Sequence, residues 1–126
     1  MSESTVKPVI LVVDDAPENI QVLSAILKNN YKVKIATNGE KALKICNSDN
    51  PPDLILLDII MPKMDGYEVC TQLKENQATK DIPVLFVTGI TEQMDKEKGM
   101  VLGAEGYLNK PVDPDEVLQA VRKYIG

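Results

Sequence analysis

Five short apolar segments alternate with five amphipathic ones, and this alternation constrains the fold more than any other feature of the chain. The apolar segments are PVILVV (8–13), YKVKIA (31–36), DLILL (53–57), IPVLFVT (82–88) and GYLN (106–109). The first, third and fourth are nearly continuous in Val, Ile and Leu, which is typical of strands buried on both faces of a parallel sheet. Five βα units in succession predict an α/β sandwich with right-handed crossovers.

The first three intervening segments have the apolar spacing of helices. The first helix is expected to begin at Pro17, because proline is favoured at the first helical position. The second and third follow Gly39 and Gly66. The residues that these helices would bury are Ile20, Leu23 and Leu27, then Ala42, Leu43 and Cys46, and finally Val69, Cys70 and Leu73. Each set lies on one helical face, so each helix is expected to pack against the sheet.

The last two helices differ in the strength of their signals. The fifth has Asp113 as a cap, Pro114 at its first position and Glu116 in a capping-box pattern. Its expected buried stripe is Val117, Leu118 and Val121. The fourth, about 91–102, is polar and interrupted by Gly99. The residues that it offers to a core are mainly Met94, Val101 and Leu102.

The length of 126 residues is that of one domain. We expect a single domain over 1–126, with a core over about 8–125 and a flexible N-terminal arm over 1–7. A chain of this size buries roughly two-thirds of its unfolded surface, so it needs neither a disulfide nor a metal to fold. No apolar stretch reaches the roughly 18 residues of a membrane span, and the N-terminus lacks the apolar core of a signal peptide. These features predict a cytoplasmic protein without a membrane partner.

Composition excludes several classes of function. The net charge of −5 argues against direct binding of nucleic acid, which usually requires a basic face. Histidine is absent from the sequence, so there is no Ser-His or Cys-His nucleophile pair and no histidine zinc ligand. Cys46 and Cys70 lie within apolar helical patterns, and we expect both to be buried thiols.

A carboxylate, Asp58, interrupts the apolar stretch LILLDIIM (54–61). An ionised carboxylate in apolar surroundings costs several kcal/mol, so Asp58 is expected either to reach the surface where the third strand ends or to have a partner that makes its position useful. Ligands of open α/β sheets bind outside the carboxyl ends of the strands. The polar residues at or just beyond these ends are Asp14, Asp15, Asp58, Thr88 and Lys110. We therefore expect them to converge on one edge of the sheet.

Such a cluster calls for a cation. Two carboxylates about 4 Å apart repel each other by roughly 4 kcal/mol at an effective dielectric constant near 20. Lys110 supplies only one positive charge, and an all-oxygen site suits Mg²⁺ better than zinc. A carboxylate can also attack phosphorus to form an acyl phosphate, which would replace one negative charge on Asp58 by roughly two. The sequence therefore predicts a magnesium-dependent electrostatic switch.

Four motifs, VVDD, LLDIIMPKMDG, FVTG and GAEGYLNKP, give the chain a close resemblance to the receiver domain of two-component response regulators. The resemblance extends from about Val9 to Ile125. It implies a flavodoxin-like (βα)5 three-layer sandwich whose parallel five-stranded sheet has the order 2-1-3-4-5. It also implies that a sensor histidine kinase or a histidine phosphotransfer protein donates the phosphoryl group.

The resemblance also implies roles for single residues at the acidic cluster. Asp58 matches the phosphoacceptor. The implied ligands of Mg²⁺ are Asp15, Asp58 and the backbone carbonyl of Ile60, with Asp14 acting through a water molecule.

Four further positions match the family. Thr88 corresponds to the hydroxyl that moves toward the phosphoryl group, and Lys110 to the lysine that pairs with it. Tyr107 corresponds to the aromatic residue whose rotamer follows that hydroxyl. Pro111 would follow a cis peptide bond. The fourth helix, the fifth strand with Tyr107, and the fifth helix form the expected signalling face, through which a homodimer or an output domain would respond.

The sequence departs from the family pattern at three places. Gly89 stands where the family often has Ala, and Glu105-Gly106 where an acidic pair is common, which is expected to loosen the approach to Tyr107. Ile60, two residues after the phosphoacceptor, cannot orient water for hydrolysis, so we expect a long phosphoryl lifetime.

Competing interpretations follow from the same residues. A haloacid-dehalogenase-type phosphatase would need a second Asp at the position of Ile60, and a flavin-binding electron carrier would need a phosphate-binding loop. A degenerate receiver that acts only as an interaction module stays open, although the acidic set is intact. The leading hypothesis is a signalling domain rather than an enzyme, which assists only its own phosphoryl transfer and slow autodephosphorylation. It is either a stand-alone receiver or part of a longer regulator or hybrid kinase.

Overall fold

The computed structural model of the chain describes residues 7–89 and 93–125. Apart from Lys7, the expected N-terminal arm lies outside the described residues. The strands are β1 (Val9–Val13), β2 (Lys32–Ala36), β3 (Leu54–Leu57), β4 (Val84–Thr88) and β5 (Gly106–Asn109). The helices are α1 (Pro17–Leu27), α2 (Gly39–Cys46), α3 (Gly66–Glu75), α4 (Gln93–Val101) and α5 (Pro114–Ile125).

The strands form one parallel sheet in the order β2-β1-β3-β4-β5, which confirms the predicted fold. From β1, the chain adds β2 on one side of the sheet and then β3, β4 and β5 on the other, so β1 and β3 are neighbours. This is the switch point at which open α/β sheets bind their ligands.

Alternation along each strand builds two cores, one on each face of the sheet. In β1, Leu11 and Val13 point to one face, and Ile10 and Val12 point to the other. The first face packs on α2 and α3, and we call it the α2–α3 core; the second packs on α1 and α5, and we call it the α1–α5 core. Because β1, β3 and β4 are covered on both faces, their apolar runs are continuous rather than alternating with polar residues.

The helix starts agree with their sequence signals. The helix α1 begins at Pro17, and the expected apolar residues of α1, α2, α3 and α5 are buried or partly buried. Asp113 accepts a hydrogen bond of 3.2 Å from the amide of Asp115 in the first turn of α5. Cys46 and Cys70 are buried as expected, and burial raises the pKa of each thiol to about 11.

The helix α4 differs from its prediction. It spans Gln93–Val101, and part of the predicted range, including the side chain of Met94, lies outside the described residues. Val101 is 84% exposed, so its expected place in the core was wrong. A residue of an α-helix lies about 100° from its neighbour, so Val101 lies about 200° from Gly99, which is buried and faces the sheet. Leu102, just beyond the helix, packs partly buried on the α2–α3 core.

None of the helices, over the ranges described, combines the length and the apolar content that crossing a membrane requires.

Candidate functional site

Backbone hydrogen bonds beyond the strand ends position the polar cluster at the carboxyl edge of the sheet. The amide of Asp14 donates to the carbonyl of Ala36 (3.2 Å), and that of Asp58 to the carbonyl of Val13 (2.9 Å). The amide of Lys110 donates to the carbonyl of Thr88 (2.9 Å). The ladder therefore continues past the strands and fixes the backbone from which the cluster side chains extend.

Lys110 bridges two buried carboxylates. Its Nζ lies 2.9 Å from Oδ2 of Asp14 and 3.3 Å from Oδ1 of Asp58. Asp14 is 1% exposed and Asp58 is 6% exposed. The remaining oxygen of Asp14 accepts a bond from the amide of Ala16, and Oδ1 of Asp58 accepts one from the amide of Ile59, each at 2.9 Å. The predicted convergence is therefore confirmed for Asp14, Asp58 and Lys110.

Burial dominates the protonation of Asp58. Desolvation, followed by the charge of Asp14, raises the pKa of Asp58 above its ordinary value. Lys110 and the amide of Ile59 act in the opposite direction but do not offset these effects. For Lys110, burial disfavours the charged form, but the hydrogen bond to Asp14 and the charges of both carboxylates outweigh it and raise the pKa. Two buried carboxylates therefore share the single charge of Lys110.

Three carboxylates can approach a single cation here. One oxygen from each of Asp14, Asp15 and Asp58 lies within 4.8 Å of the others, and Asp15 is exposed to solvent. Lys110 neutralises one of the three charges, and a divalent cation would balance the other two. The donor set is all oxygen, and an open, partly exposed position suits a cation that retains water. The residues therefore fit Mg²⁺.

Gly66 permits the loop that carries Asp58 to pack against the start of α3. The amide of Gly66 donates to the carbonyl of Ile59 at 2.8 Å. A Cβ at position 66 would overlap the backbone carbonyl oxygen of Asp58 and would lie 2.8 Å from Cα of Ile59. The sequence indicated only that a helix follows this glycine, because the close approach involves backbone atoms with no local sequence signature.

The other predicted residues lie at or near the same carboxyl edge of the sheet. Thr88 is fully buried at the end of β4 and pairs in register with Asn109, which precedes Lys110. Tyr107 is half-buried, two residues earlier in the register, with its ring centroid 5.4 Å from that of Phe86. Ile60 follows β3, and its side chain is 69% exposed at the edge of the site.

The peptide bond between Lys110 and Pro111 is cis. It directly follows the lysine that bridges the two buried carboxylates.

Together, the sheet order and the acidic cluster with its lysine define a flavodoxin-like fold with an acidic site at its switch point. The family model of the response regulator receiver domain matches residues 10–122. The chain belongs to this family.

Comparisons with individual proteins agree with this assignment. The chain is 48% identical over 103 residues to a probable cyclic di-GMP phosphodiesterase of Vibrio cholerae, covering 82% of this chain and 23% of that protein. A crystal structure of a putative response regulator from Chloroflexus aurantiacus matches with a TM-score of 0.89 and 32% identity, covering 94% of this chain and 97% of that one.

A third match is the receiver domain of a sensor histidine kinase from Pseudomonas aeruginosa, solved with a magnesium ion coordinated in its active-site cleft. Its TM-score is 0.87 at 28% identity, covering 96% of this chain and 99% of that one. Among curated relatives, the chain spans 23% of the Vibrio cholerae protein and 52% of a probable transcriptional regulator of Pyropia yezoensis.

Proposed function

We propose that Asp58 accepts a phosphoryl group from a phosphohistidine of a sensor kinase or a phosphotransfer protein. In this proposal Mg²⁺ is held by Asp15, Asp58 and the backbone carbonyl of Ile60, with Asp14 acting through water. The observation that carries it is the excess of negative charge at a switch point, where Lys110 pairs with Asp14 and Asp58 and an oxygen of a third carboxylate, Asp15, lies within 4.8 Å of both.

The two oxygens of Asp58 take different roles. Oδ1 accepts bonds from the amide of Ile59 and from Lys110, so we assign Oδ2 as the nucleophile. A bond forms between Oδ2 and phosphorus while the phosphorus–nitrogen bond of the donor breaks. The electron pair of that bond leaves with the imidazole nitrogen, which takes up a proton. When bound, Mg²⁺ supplies positive charge to the phosphoryl oxygens.

Phosphorylation changes the electrostatics around Lys110 and Thr88. Asp58 exchanges one negative charge for roughly two, and the new oxygens compete with Asp14 for Lys110. The hydroxyl of Thr88 would move to donate to one of them. Since Thr88 ends β4 beside β5, this displacement reaches Tyr107 and the face formed by α4, β5 and α5. A second copy of the chain or an output domain would recognise that face.

The expected chemistry is a single phosphoryl transfer and a slow autodephosphorylation, rather than turnover of a separate substrate. Ile60 presents an exposed apolar side chain at the site edge and has no group that can orient an attacking water. We therefore expect an Ile60→Asn variant to lose its phosphoryl group faster than the wild type. Unchanged dephosphorylation of the variant, followed by intact mass over time, would count against this role.

The phosphoacceptor role is tested by intact mass after incubation with acetyl phosphate, with and without Mg²⁺. We expect one added phosphoryl group that requires both Mg²⁺ and Asp58, and none in Asp58→Asn. Asp81→Asn is a matched control, because Asp81 is exposed and lies before β4, away from the carboxyl edge. If no addition occurs and beryllofluoride with Mg²⁺ also produces no response, the degenerate interaction module becomes the better explanation.

A further inference from the structure

Gly99, in the second half of α4, lies against two aromatic rings. A Cβ built at this position would be 2.5 Å from the hydroxyl oxygen of Tyr107. It would also be 2.8 Å and 3.0 Å from two ring carbons of Phe86. The space that any other side chain would need at this position is therefore already occupied by Tyr107 and Phe86.

The same rings belong to an aromatic row beneath α4, formed by Tyr67, Phe86 and Tyr107. The centroids of Tyr67 and Phe86 are 5.6 Å apart in an edge-on arrangement, and those of Phe86 and Tyr107 are 5.4 Å apart. Lys98, the neighbour of Gly99, places its Nζ 4.5 Å from the ring centroid of Tyr67. Two consecutive residues of α4, Lys98 and Gly99, thus lie against the aromatic row.

Helix formation itself does not explain this glycine. Glycine inside a helix is less favourable than alanine by about 1 kcal/mol. The helix α4 has little to offset that cost, because Met100 and Val101 are 48% and 84% exposed. The close contact with Tyr107 and Phe86 accounts for glycine at position 99, since only a residue without Cβ fits.

We propose that Gly99 is a positioning residue, which allows Tyr107 to lie beneath α4 and thereby supports the phosphoryl site. The proposal rests on the proposed function of Asp58. Tyr107 pairs in register with Phe86, and Thr88 and Lys110 lie just beyond this pair on β4 and after β5. The end of β4 joins Phe86 to Thr88, and the end of β5 joins Tyr107 to Lys110. A shift of the Tyr107 ring is therefore expected to affect Thr88 and Lys110, the groups that would contact the phosphoryl oxygens.

A side chain at position 99 would force a specific rearrangement. Phe86 is fully buried between α3 and α4 and has little freedom to move. The hydroxyl of Tyr107 is the far end of a half-buried side chain and can swing away. Gly99→Ala is therefore expected to displace the Tyr107 ring outward and to shift α4 by a fraction of an ångström away from Phe86.

The contact is tested first by thermal unfolding of Gly99→Ala, Tyr107→Phe and the double variant. We expect Gly99→Ala to lower the unfolding midpoint by several degrees, although alanine is the better helix former. Tyr107→Phe should restore part of this loss, because it removes the contact with the hydroxyl but leaves the one with Phe86. Val101→Ala is the matched control in α4, since Val101 is exposed. A midpoint for Gly99→Ala equal to or above that of the wild type would overturn the proposal.

Its effect on the site is tested by titration with beryllofluoride at saturating Mg²⁺, followed by amide and tyrosine ring resonances. We expect Gly99→Ala to bind at least about 5-fold more weakly than the wild type, with partial recovery in the double variant. An unchanged affinity, beside a responsive wild type, would reduce Gly99 to a packing residue and overturn the proposal. If the wild type itself fails to respond, the proposed function of Asp58 has failed instead.

Discussion

The two ends of the strands β4 and β5 each place a lysine among oxygen atoms, but the balance of charge differs. At the amino end, Nζ of Lys74 lies 3.3 Å from Oε2 of Glu105 and donates to the carbonyls of Lys80 (3.1 Å) and Ile82 (2.8 Å). Oε1 of Glu105 accepts a bond of 2.7 Å from the amide of Val84. One positive charge meets one negative charge here, and both have further hydrogen-bond partners.

At the carboxyl end, one lysine pairs with two carboxylates, and a third carboxylate lies close by. Lys110 contacts Asp14 and Asp58, and one oxygen of Asp15 lies within 4.8 Å of an oxygen of each of them. Burial and the charge of Asp14 raise the pKa of Asp58, so its ionised form is held at a cost in free energy.

The comparison distinguishes an ion pair whose charges balance within the fold from a cluster whose charges balance only with a ligand. At the amino end each charged group has its partners within the fold, so removing one of them leaves the other unpaired, whereas the excess charge at the carboxyl end would be offset only by a cation or a phosphoryl group. Strand β5 joins the two sites, because Glu105 directly precedes it and Lys110 directly follows it.

The largest expected effect is the loss of the balanced pair. Lys74→Met would leave Glu105 without its cation and two carbonyls without a donor. We expect the free energy of unfolding to fall by about 2–3 kcal/mol. Urea denaturation measures it, with Lys80→Met as a control because the side chain of Lys80 is exposed. Equal free energies of unfolding for the two variants would show that the Lys74–Glu105 pair does not contribute to stability.

Removing a carboxylate charge should have opposite signs at the two ends. Glu105→Gln is expected to lower the free energy of unfolding by about 1–2 kcal/mol, because it weakens the bond to Lys74. Asp58→Asn, measured without Mg²⁺ at neutral pH, is expected to raise it, because burial and the charge of Asp14 disfavour the ionised carboxylate. Adding Mg²⁺ should stabilise the wild type more than Asp58→Asn. A loss of stability in both variants would contradict the contrast between the ends.

The increase in the free energy of unfolding expected for Asp58→Asn should depend on pH. The pKa of Asp58 is raised in the folded protein above the ordinary value of 3.8, so ionisation of Asp58 costs stability. The stability that the protonated form provides is fully present below the unfolded pKa and is lost as pH rises through the folded pKa. The advantage of Asp58→Asn should therefore be largest at neutral pH and disappear near pH 3.8. A pH-independent difference between the two proteins would argue against this cause.

The sequence was informative where function depends on strand ends. The apolar runs located the strands, and the end of each run located Asp14, Asp58, Thr88 and Lys110, because parallel strands align their carboxyl ends. The roles of these residues, of Tyr107 and of the Ile60 carbonyl stay predictions until phosphorylation is measured.

Contacts between distant side chains could not be predicted. Lys74 and Glu105 are 31 positions apart, and neither has a local signature for pairing. Glu105 was expected only to affect the approach to Tyr107, but its carboxylate binds Lys74 and the amide of Val84. The close packing of Gly66 and Gly99 likewise depends on atoms that tertiary structure brings together.

The smallest expected effect concerns backbone strain at the carboxyl end. Lys63, on the loop between Asp58 and α3, has φ of 70° and is, over the described residues, the one non-glycine residue with positive φ. This left-handed conformation is unfavourable for a residue with Cβ. Lys63→Gly and Lys63→Ala remove the same exposed charge but differ in that atom, so we expect the glycine variant to be more stable by about 0.5–1 kcal/mol.

Urea denaturation of the two Lys63 variants without Mg²⁺ measures this difference. A more stable glycine variant would show that the carboxyl end carries backbone strain as well as unbalanced charge. Among the described residues, the balanced amino end has no non-glycine residue with positive φ. If the alanine variant is equally stable, the loop relaxes at no cost, and the contrast between the two ends is one of charge alone.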